Sequence, residues 1–304
     1  MFKDGDVICF LGDSITASGL YMAEVYERIG AECDVRCYNV GLAGGTASLA
    51  EEYLYGLCLS KNPTHVVIMF AANDIDISLY SADCTLPDKD MRRRAAIEEH
   101  KRAYEKIVRD CLDFGCEVII TTPIPYDEWG KSETENLYCQ SALDECAEFA
   151  MEIAKKYSLR SVDFRTPFLS LMRERMLISE DRQHPTPEGY HVMAEIFLFT
   201  LGYTATVDFD KKFKPADWNR RRMATEKKLR LIDFIDYVWL YREAKEKNYG
   251  IQKKIELSRE RYGELEYKFS YVPTAYRAYF EWRDKKDALT DELVRLTRYP
   301  RREK

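Results

Sequence analysis

The 304-residue sequence has no apolar run that could cross a bilayer. Its most apolar stretch, Val66–Ala72, is far shorter than the roughly 20 residues that a membrane-spanning helix needs. The opening residues, MFKDGDVICF, also lack a basic segment followed by an apolar one, so we expect no secretory signal and no membrane partner. A content of 46% hydrophobic residues excludes disorder of the whole chain.

The sequence also lacks the short motifs of common metal and nucleotide sites. Its nine cysteines, all at or before Cys146, include no C-x-x-C pair, which argues against a zinc ribbon or a thioredoxin-like site. We therefore expect reduced, mostly buried thiols and a cytoplasmic protein. The segment from Gly41 to Gly44 does not fit G-x-G-x-x-G, and no Lys-Ser/Thr pair completes a P-loop, which disfavours a nucleotide-binding protein.

Charge divides the chain into two parts. The net charge of the chain is −6, but residues 1–210 are acidic and residues 211–304 are basic. The basic part contains 26 Lys and Arg and 16 Asp and Glu. The first part alternates β-branched runs with helical patterns, whereas the second resembles charged helix throughout. We predict a folded domain over residues 1–205 and a helical, basic, aromatic-rich extension over residues 206–304.

Five short runs rich in Val, Ile or Phe and bounded by turn residues predict strands. These runs are Val7–Leu11, Val35–Val40, His65–Phe70, Glu117–Thr122 and Ser161–Phe164. The helical patterns between and after them are Lys89–Phe114, Glu133–Tyr157 and Glu188–Phe199. Strands that alternate with helices indicate β-α-β units, so we predict a flavodoxin-like three-layer α/β/α fold with a mainly parallel five-stranded sheet.

Ligands of such sheets bind beyond the carboxyl ends of the strands, where three chemically useful segments lie. Ser14 follows the first strand, a run from Gly41 to Gly45 follows the second, and Asn73-Asp74 follows the third. Each segment alone also has an ordinary structural interpretation: a helix N-cap for the serine, and turns for the glycines and the Asn-Asp pair. We interpret Asp74, like Asp13 before the serine, as a structural acceptor of backbone N–H groups.

A fourth segment places Asp181 three residues before His184, in a loop held by prolines. The carboxylate can contact one imidazole nitrogen, which fixes the tautomer and leaves the other nitrogen as a base. The remaining histidines lack this setting. His65 leads into a strand, His100 is predicted on a helix surface, and His191 lies on the following helix.

The four segments in this order resemble the SGNH, or GDSL-type, hydrolase family of esterases and acylhydrolases over roughly residues 5–205. The resemblance implies that Ser14 in Gly-Asp-Ser-Ile-Thr is the nucleophile and that Gly44 carries an oxyanion-hole N–H. The third block of the family, Gly-x-Asn-Asp, corresponds to Ala71-Ala72-Asn73-Asp74, with Asn73 as an oxyanion donor. The family usually has glycine where this chain has Ala71. This alanine can narrow the crevice or shift the end of the strand.

The last block of the family implies that His184 is the base and Asp181 the residue that orients it. The N–H of Ser14, the N–H of Gly44 and the amide of Asn73 would then form the oxyanion hole. No cofactor or metal is implied, and we expect the carboxylates around Asp74 and Asp76 to be solvated.

The resemblance implies a carboxylic ester as substrate, and the absence of a long apolar run favours a short acyl group such as acetyl on a carbohydrate. Tyr80, Tyr126 and Trp129 are candidates to contact this small-molecule or glycan ester, although they can equally pack in the domain. A thioesterase or other acylhydrolase on the same scaffold remains an alternative, as does a binding protein without activity. We expect the extension to pack on the acidic domain or to form a homodimer, and its mixed charges disfavour nucleic acid.

Overall fold

The computed structural model describes residues 2–128, 136 and 138–210. These residues form a five-stranded sheet in the order β2-β1-β3-β4-β5, in which every neighbouring pair is parallel. The strands are β1 (Val7–Gly12), β2 (Arg36–Gly41), β3 (His65–Met69), β4 (Glu117–Thr121) and β5 (Arg160–Val162). The order is that of flavodoxin-like folds, so the predicted fold class is confirmed.

Eight α-helices lie within the described residues. They are α1 (Ser14–Ser18), α2 (Leu20–Gly30), α3 (Ala47–Glu52), α4 (Leu54–Leu57), α5 (Lys89–Phe114), α6 (Cys139–Lys156), α7 (Arg165–Leu171) and α8 (Pro187–Thr200). The predicted bounds of α5 are confirmed, because Gly115 adopts a left-handed φ of 95° and its N–H closes the last turn.

The helix predicted from Glu133 begins later, at Cys139. Tyr138 has a φ of 72°, a left-handed conformation that a right-handed helix cannot contain, so the helix must start after it. Glu133 itself lies outside the described residues. The final helix begins one residue earlier than predicted, because Pro187 occupies its first turn and Thr186 caps it by accepting a hydrogen bond from Gly189 N.

The strands are buried on both faces, and their side chains alternate between two cores. Ile8, Phe10 and Val67 face a core shared with α2 and α8, whereas Cys9 and Leu11 face a core shared with α3 and α5. This arrangement explains why the strands read as continuous apolar runs. A third, smaller cluster covers the region beyond the carboxyl ends of the strands and contains Ala71, Ile75, Leu79, Tyr80, Ile97, Tyr126, Cys139, Ala142, Leu143 and Cys146.

All nine cysteines are free thiols, and seven of them are buried, as predicted. No helix in the described part of the chain is long and apolar enough to cross a membrane. The helical extension predicted for residues 206–304 and its homodimer lie almost entirely outside the described residues. Only residues 206–210 of it are described, as bends and turns after α8.

Candidate active site

Ser14 is the first residue of α1, directly beyond the carboxyl end of β1. Asp13 caps this helix, because its buried carboxylate accepts a hydrogen bond from Ile15 N at 2.9 Å. The preceding Gly12 has no room for a side chain, since a Cβ there would lie 2.3 Å from the Thr16 hydroxyl oxygen. The tight turn therefore holds Ser14 at the edge of the sheet, and Asp13 has the structural role that the sequence predicts.

Ser14, His184 and Asp181 form a continuous chain of contacts. Ser14 Oγ lies 2.7 Å from His184 Nε2, and His184 Nδ1 lies 2.6 Å from Asp181 Oδ2. Residues that are 170 positions apart in the sequence thus meet at one point, because the loop before α8 returns to the carboxyl end of β1. The arrangement can move a proton from the serine hydroxyl to the imidazole while the carboxylate fixes the ring.

The loop that carries Asp181 is organised by that carboxylate. Besides the imidazole, it accepts hydrogen bonds from Gln183 N at 3.0 Å, from His184 N at 2.9 Å and from the Ser179 hydroxyl at 2.8 Å. Partial burial raises the pKa of Asp181, but these donors outweigh burial and lower the pKa to about 2. The carboxylate is therefore ionised at every pH at which the histidine can act as a base.

The glycine-rich loop after β2 approaches the end of β1 closely. Leu42 N donates a 2.8 Å hydrogen bond to the carbonyl of Gly12, and a Cβ on Gly41 would lie 2.3 Å from the backbone nitrogen of Ala17. Gly44 is exposed and has a φ of 70°, the left-handed region that glycine adopts without strain. The loop thus brings the Gly44 backbone to the edge of the sheet where Ser14 lies.

Asn73 follows β3, and its side-chain amide contacts the same glycine loop. Asn73 Nδ2 donates a hydrogen bond of 3.0 Å to the carbonyl oxygen of Gly45, and an amide nitrogen carries a second N–H. Ala71, which replaces the glycine of the family, is fully buried and has a φ of 152°, a region that favours glycine. The alanine therefore strains the backbone but leaves Asn73 beside the loop.

Two carboxylates behind the serine are buried rather than solvated. Burial raises the pKa of Asp13 to about 7, and the neighbouring charge of Asp74 acts in the same direction. Asp74 accepts a hydrogen bond from Ala47 N at 2.7 Å, as its predicted structural role requires. The expectation of solvated carboxylates is wrong for Asp74 because α5 covers it, whereas Asp76 is exposed.

His100 is also buried, so the predicted surface position is wrong. Its Nδ1 lies 3.2 Å from Asp74 Oδ1. The helix periodicity contains a signal for this burial, because His100 lies three residues after Ile97 and four before Tyr104, both of which face the core. We missed this signal because a charged or polar residue in a helix with many Arg and Glu is usually solvated.

A small, mostly apolar pocket opens beside the serine. Its walls come from residues next to Ser14, Asn73 and His184 and from the loop after β4. They are Asp13, Ile15, Met69, Ala72, Ile77, Pro123, Ile124, Pro125, Tyr126, Leu143 and Gln183. Of the three aromatic residues suggested for substrate contact, Tyr126 lines this pocket. Tyr80 is buried with the Arg93 guanidinium 4.4 Å from its ring centre and is not among the lining residues, and Trp129 lies outside the described residues.

Only one group in the described residues brings three metal-ligating side chains together, and it lies on α2 and α8. Glu24, His191 and Glu195 are all buried, with ligand atoms within 4.8 Å of one another. However, His191 Nδ1 lies 2.6 Å from Glu24 and Nε2 lies 3.0 Å from the Asp208 carbonyl. Both partners are acceptors, so both ring nitrogens donate. The Glu24 carboxylate raises the pKa of His191, and the two contacts of the ring already engage both nitrogens that a metal would need.

The fold and the site together are those of a carboxylic ester hydrolase. The model of the GDSL-like lipase/acylhydrolase family matches residues 10–192, and the chain belongs to this family. The sequence-based recognition of an SGNH/GDSL esterase is therefore confirmed. The site residues were named for their place in the four segments, and their individual roles stay predictions.

Relatives with known activities are distant. The chain is 20% identical over 219 residues to an acetylxylan esterase of Geobacillus stearothermophilus, covering 66% of this chain and 95% of that protein. The crystal structure of Axe2, an acetylxylan esterase from the same organism, matches with a TM-score of 0.56 and 21% identity, covering 69% of this chain and 99% of that one.

A gut microbial diltiazem-metabolizing enzyme, BT4096, matches with a TM-score of 0.60 and 24% identity over 66% of this chain. The match spans 48% of that enzyme, so about half of its length has no counterpart here. At these identities the structural matches support the fold alone.

Proposed function

We propose that this esterase cleaves short acyl esters, with Ser14 as nucleophile, His184 as general base and Asp181 as the residue that orients the imidazole. The observation that carries the proposal is the chain of 2.7 Å and 2.6 Å contacts from Ser14 Oγ through His184 to Asp181. Solved Axe2 variants support it, since those described as catalytic mutants replace a serine, and an aspartate and a histidine three residues apart.

In the first half of the proposed reaction, Ser14 Oγ attacks the ester carbonyl carbon and His184 Nε2 takes the hydroxyl proton. The tetrahedral intermediate expels the alcohol, which takes the proton back from His184. In the second half, His184 removes a proton from water, and the resulting hydroxyl attacks the acyl-serine. Collapse releases the acid and returns the proton to Ser14, so no cofactor is consumed.

The oxyanion of each intermediate would be held by three donors from three loops. These are the backbone N–H of Ser14, the backbone N–H of Gly44 and the side-chain amide of Asn73. The first lies in the opening turn of α1, where N–H groups have no intrahelical acceptor. The other two donors belong to Asn73 and Gly44. The hydrogen bond from the Asn73 amide to the Gly45 carbonyl holds the two chain segments that carry them together.

The pocket beside Ser14 supports a short acyl group. Its lining is mainly aliphatic and proline side chains, which suit a methyl group, and the rigid Pro123–Pro125 segment closes one side. The acetylxylan esterase relatives suggest an acetyl group on a carbohydrate as the substrate class. We propose that Tyr126 belongs to this pocket.

The decisive experiment compares p-nitrophenyl acetate hydrolysis by the wild type, Ser14→Ala and Ser18→Ala. Ser18 is a matched control, because it lies on the same short helix and its hydroxyl donates to the Ile15 carbonyl at 2.7 Å. We expect Ser14→Ala to lose at least about 10³-fold in kcat and Ser18→Ala to remain within about threefold of the wild type. Equal rates for the wild type and Ser14→Ala would refute the proposed nucleophile.

A substrate panel tests the acyl group and the main alternative. Esters from acetyl to palmitoyl, an acetylated xylo-oligosaccharide and an acetyl thioester are compared by kcat/KM. We expect acetyl esters to be cleaved fastest, because the pocket next to the Ser14 turn is small. Faster cleavage of long chains would contradict the pocket assignment, and a preferred thioester would favour the thioesterase alternative.

A further inference from the structure

The two proposed oxyanion donors beyond Ser14 lie on different loops, so something must hold these loops together. Gly44 is exposed, and a Cβ built on it meets no atom within 4 Å, so packing around that residue does not fix its position. An oxyanion hole loses its effect when its donors shift by roughly 0.5 Å. The position of Gly44 must therefore be set by contacts elsewhere in its loop.

Two hydrogen bonds from the Asn73-Asp74 pair make those contacts. The Asn73 amide donates to the Gly45 carbonyl at 3.0 Å, and the Asp74 carboxylate accepts from Ala47 N at 2.7 Å. These two bonds hold the loop at Gly45 and Ala47, the first and third residues after Gly44. The second bond involves a charged acceptor, which makes it the stronger of the two.

The Asp74 carboxylate is buried, and such a charge needs compensation. Its side chain is 3% exposed, and within the described residues its Oδ2 atom accepts no hydrogen bond. A buried carboxylate without a compensating charge is unfavourable, and its displacement would weaken the bond to Ala47.

His100 supplies the compensating charge from α5. Its side chain is 1% exposed, and Nδ1 lies 3.2 Å from Asp74 Oδ1, an ion-pair distance at which the described residues show no directed hydrogen bond. Burial alone would lower the pKa of His100, but the Asp74 carboxylate, helped by the sulfur of Cys146, raises it to about 10. The ring is therefore an imidazolium at neutral pH.

Apolar side chains also pack between α3 and α5, but the other side-chain hydrogen bonds described between these two helices lie at the surface. They join Ser48 to Glu99 and Arg102 to Glu51 through exposed atoms, where solvent weakens ion pairs. A buried polar connection between α5 and the glycine loop thus runs from His100 through Asp74 to Ala47.

We propose that His100 is a positioning residue for the oxyanion hole: it holds the Asp74 carboxylate, which in turn fixes the backbone of the loop that carries Gly44. His100 does not touch the substrate in this proposal, and the proposal rests on the function given above.

The test measures kcat and KM for p-nitrophenyl acetate with His100→Gln, which keeps a polar side chain but removes the charge. We expect kcat to fall about 10- to 100-fold with KM changed less than threefold, because the affected donors act mainly in the transition state. The same substitution in an Asn73→Ala background should cost less than about fivefold, because one of the two donors is already lost.

His191→Gln is the matched control, since His191 is another buried histidine paired with a carboxylate but has no contact with the glycine loop among the described residues. We expect it to lower Tm while kcat stays within about twofold of the wild type. A folded His100→Gln with wild-type kcat would overturn the inference. Ser14→Ala is run beside it, so that a wrong nucleophile is distinguished from a wrong positioning residue.

A second measurement needs no variant to fold. The chain has four histidines, so ¹⁵N NMR of histidine-labelled wild-type enzyme can follow each ring. We expect the His100 ring to carry protons on both nitrogens at pH 8, where an ordinary histidine is neutral. A neutral His100 at that pH would overturn the inference even if His100→Gln is insoluble.

Discussion

Two histidine–aspartate pairs lie close to the loops around Ser14, and they differ mainly in exposure. In the pair Asp181–His184 the side chains are 51% and 38% exposed, whereas in Asp74–His100 they are 3% and 1% exposed. The exposed pair can meet a substrate and exchange protons with water. The buried pair can do neither, so its fixed charges are suited to holding the backbone rather than to proton transfer.

The exposed pair should affect the rate far more than the stability. We expect Asp181→Asn to lower kcat by about 10⁴-fold, because the amide no longer fixes the reactive tautomer of His184. Tm should change little, since the side chain is half exposed. Activity assays and thermal unfolding of the same sample check both parts, and a loss below tenfold would remove Asp181 from the proposed machinery.

Asn73 lies between the glycine loop and the buried pair, because it contacts that loop and directly precedes Asp74 in the chain. We expect Asn73→Ala to lower kcat by about 10²–10³-fold, the usual effect of removing one oxyanion donor. Circular dichroism should show an intact fold. An Asn73→Ala enzyme with the wild-type rate would mean that the backbone donors suffice and that the side chain is only structural.

The two pairs should lose their contributions to stability at opposite ends of the pH range. The raised pKa of His100 means that its contribution to stability is complete below about pH 6.5 and is lost as the pH rises through about 10. The lowered pKa of Asp181 means that its contribution is present above about pH 4 and is lost as the pH falls through about 2.

Denaturant unfolding at pH 7 and pH 10.5 tests the buried pair. Between these values the wild type should lose about 4 kcal/mol more unfolding free energy than His100→Gln, because the pKa of His100, raised from 6.5 to about 10, is passed in this range. Lysines, tyrosines and cysteines titrate in both proteins, so their effect cancels in the comparison. Parallel losses in the two proteins would show that the His100 charge does not stabilise the fold.

The smallest effect concerns the strained residue between β3 and Asn73. We expect Ala71→Gly to raise the unfolding free energy by about 1 kcal/mol, because glycine adopts the φ of 152° without strain and this gain exceeds its greater entropy in the unfolded chain. Tm should rise by a few degrees. A lower Tm would show that the buried methyl group packs well enough to offset the strain.

Much of the fold could be predicted from local patterns. Apolar runs between turn residues placed all five strands to within two residues at either end, and Gly115 fixed the end of α5. Boundaries were wrong where a single backbone conformation decided them, as at Tyr138, since a left-handed tyrosine has no signature in composition.

The candidate site residues could be proposed from the sequence because each follows a strand or stands in a short motif, and parallel strands bring their carboxyl ends to one edge. The pocket was not predictable, because its walls come from several distant segments. A tyrosine in a loop near the site can face a ligand or the core, and Tyr80 packs against Arg93, so its contact with a substrate stays a prediction.

The sequence by itself determined which groups are proposed to react: a serine, a histidine with an aspartate three residues before it, a glycine loop and an asparagine. Only the tertiary structure decided which acidic and basic groups are buried. Burial of Asp74 and His100 depends on α5 covering the end of β3, and it turns two ordinary surface residue types into a fixed ion pair. The physical reason is that the energy of a charge depends on its access to solvent, which local patterns such as the helix periodicity around His100 indicate only in part.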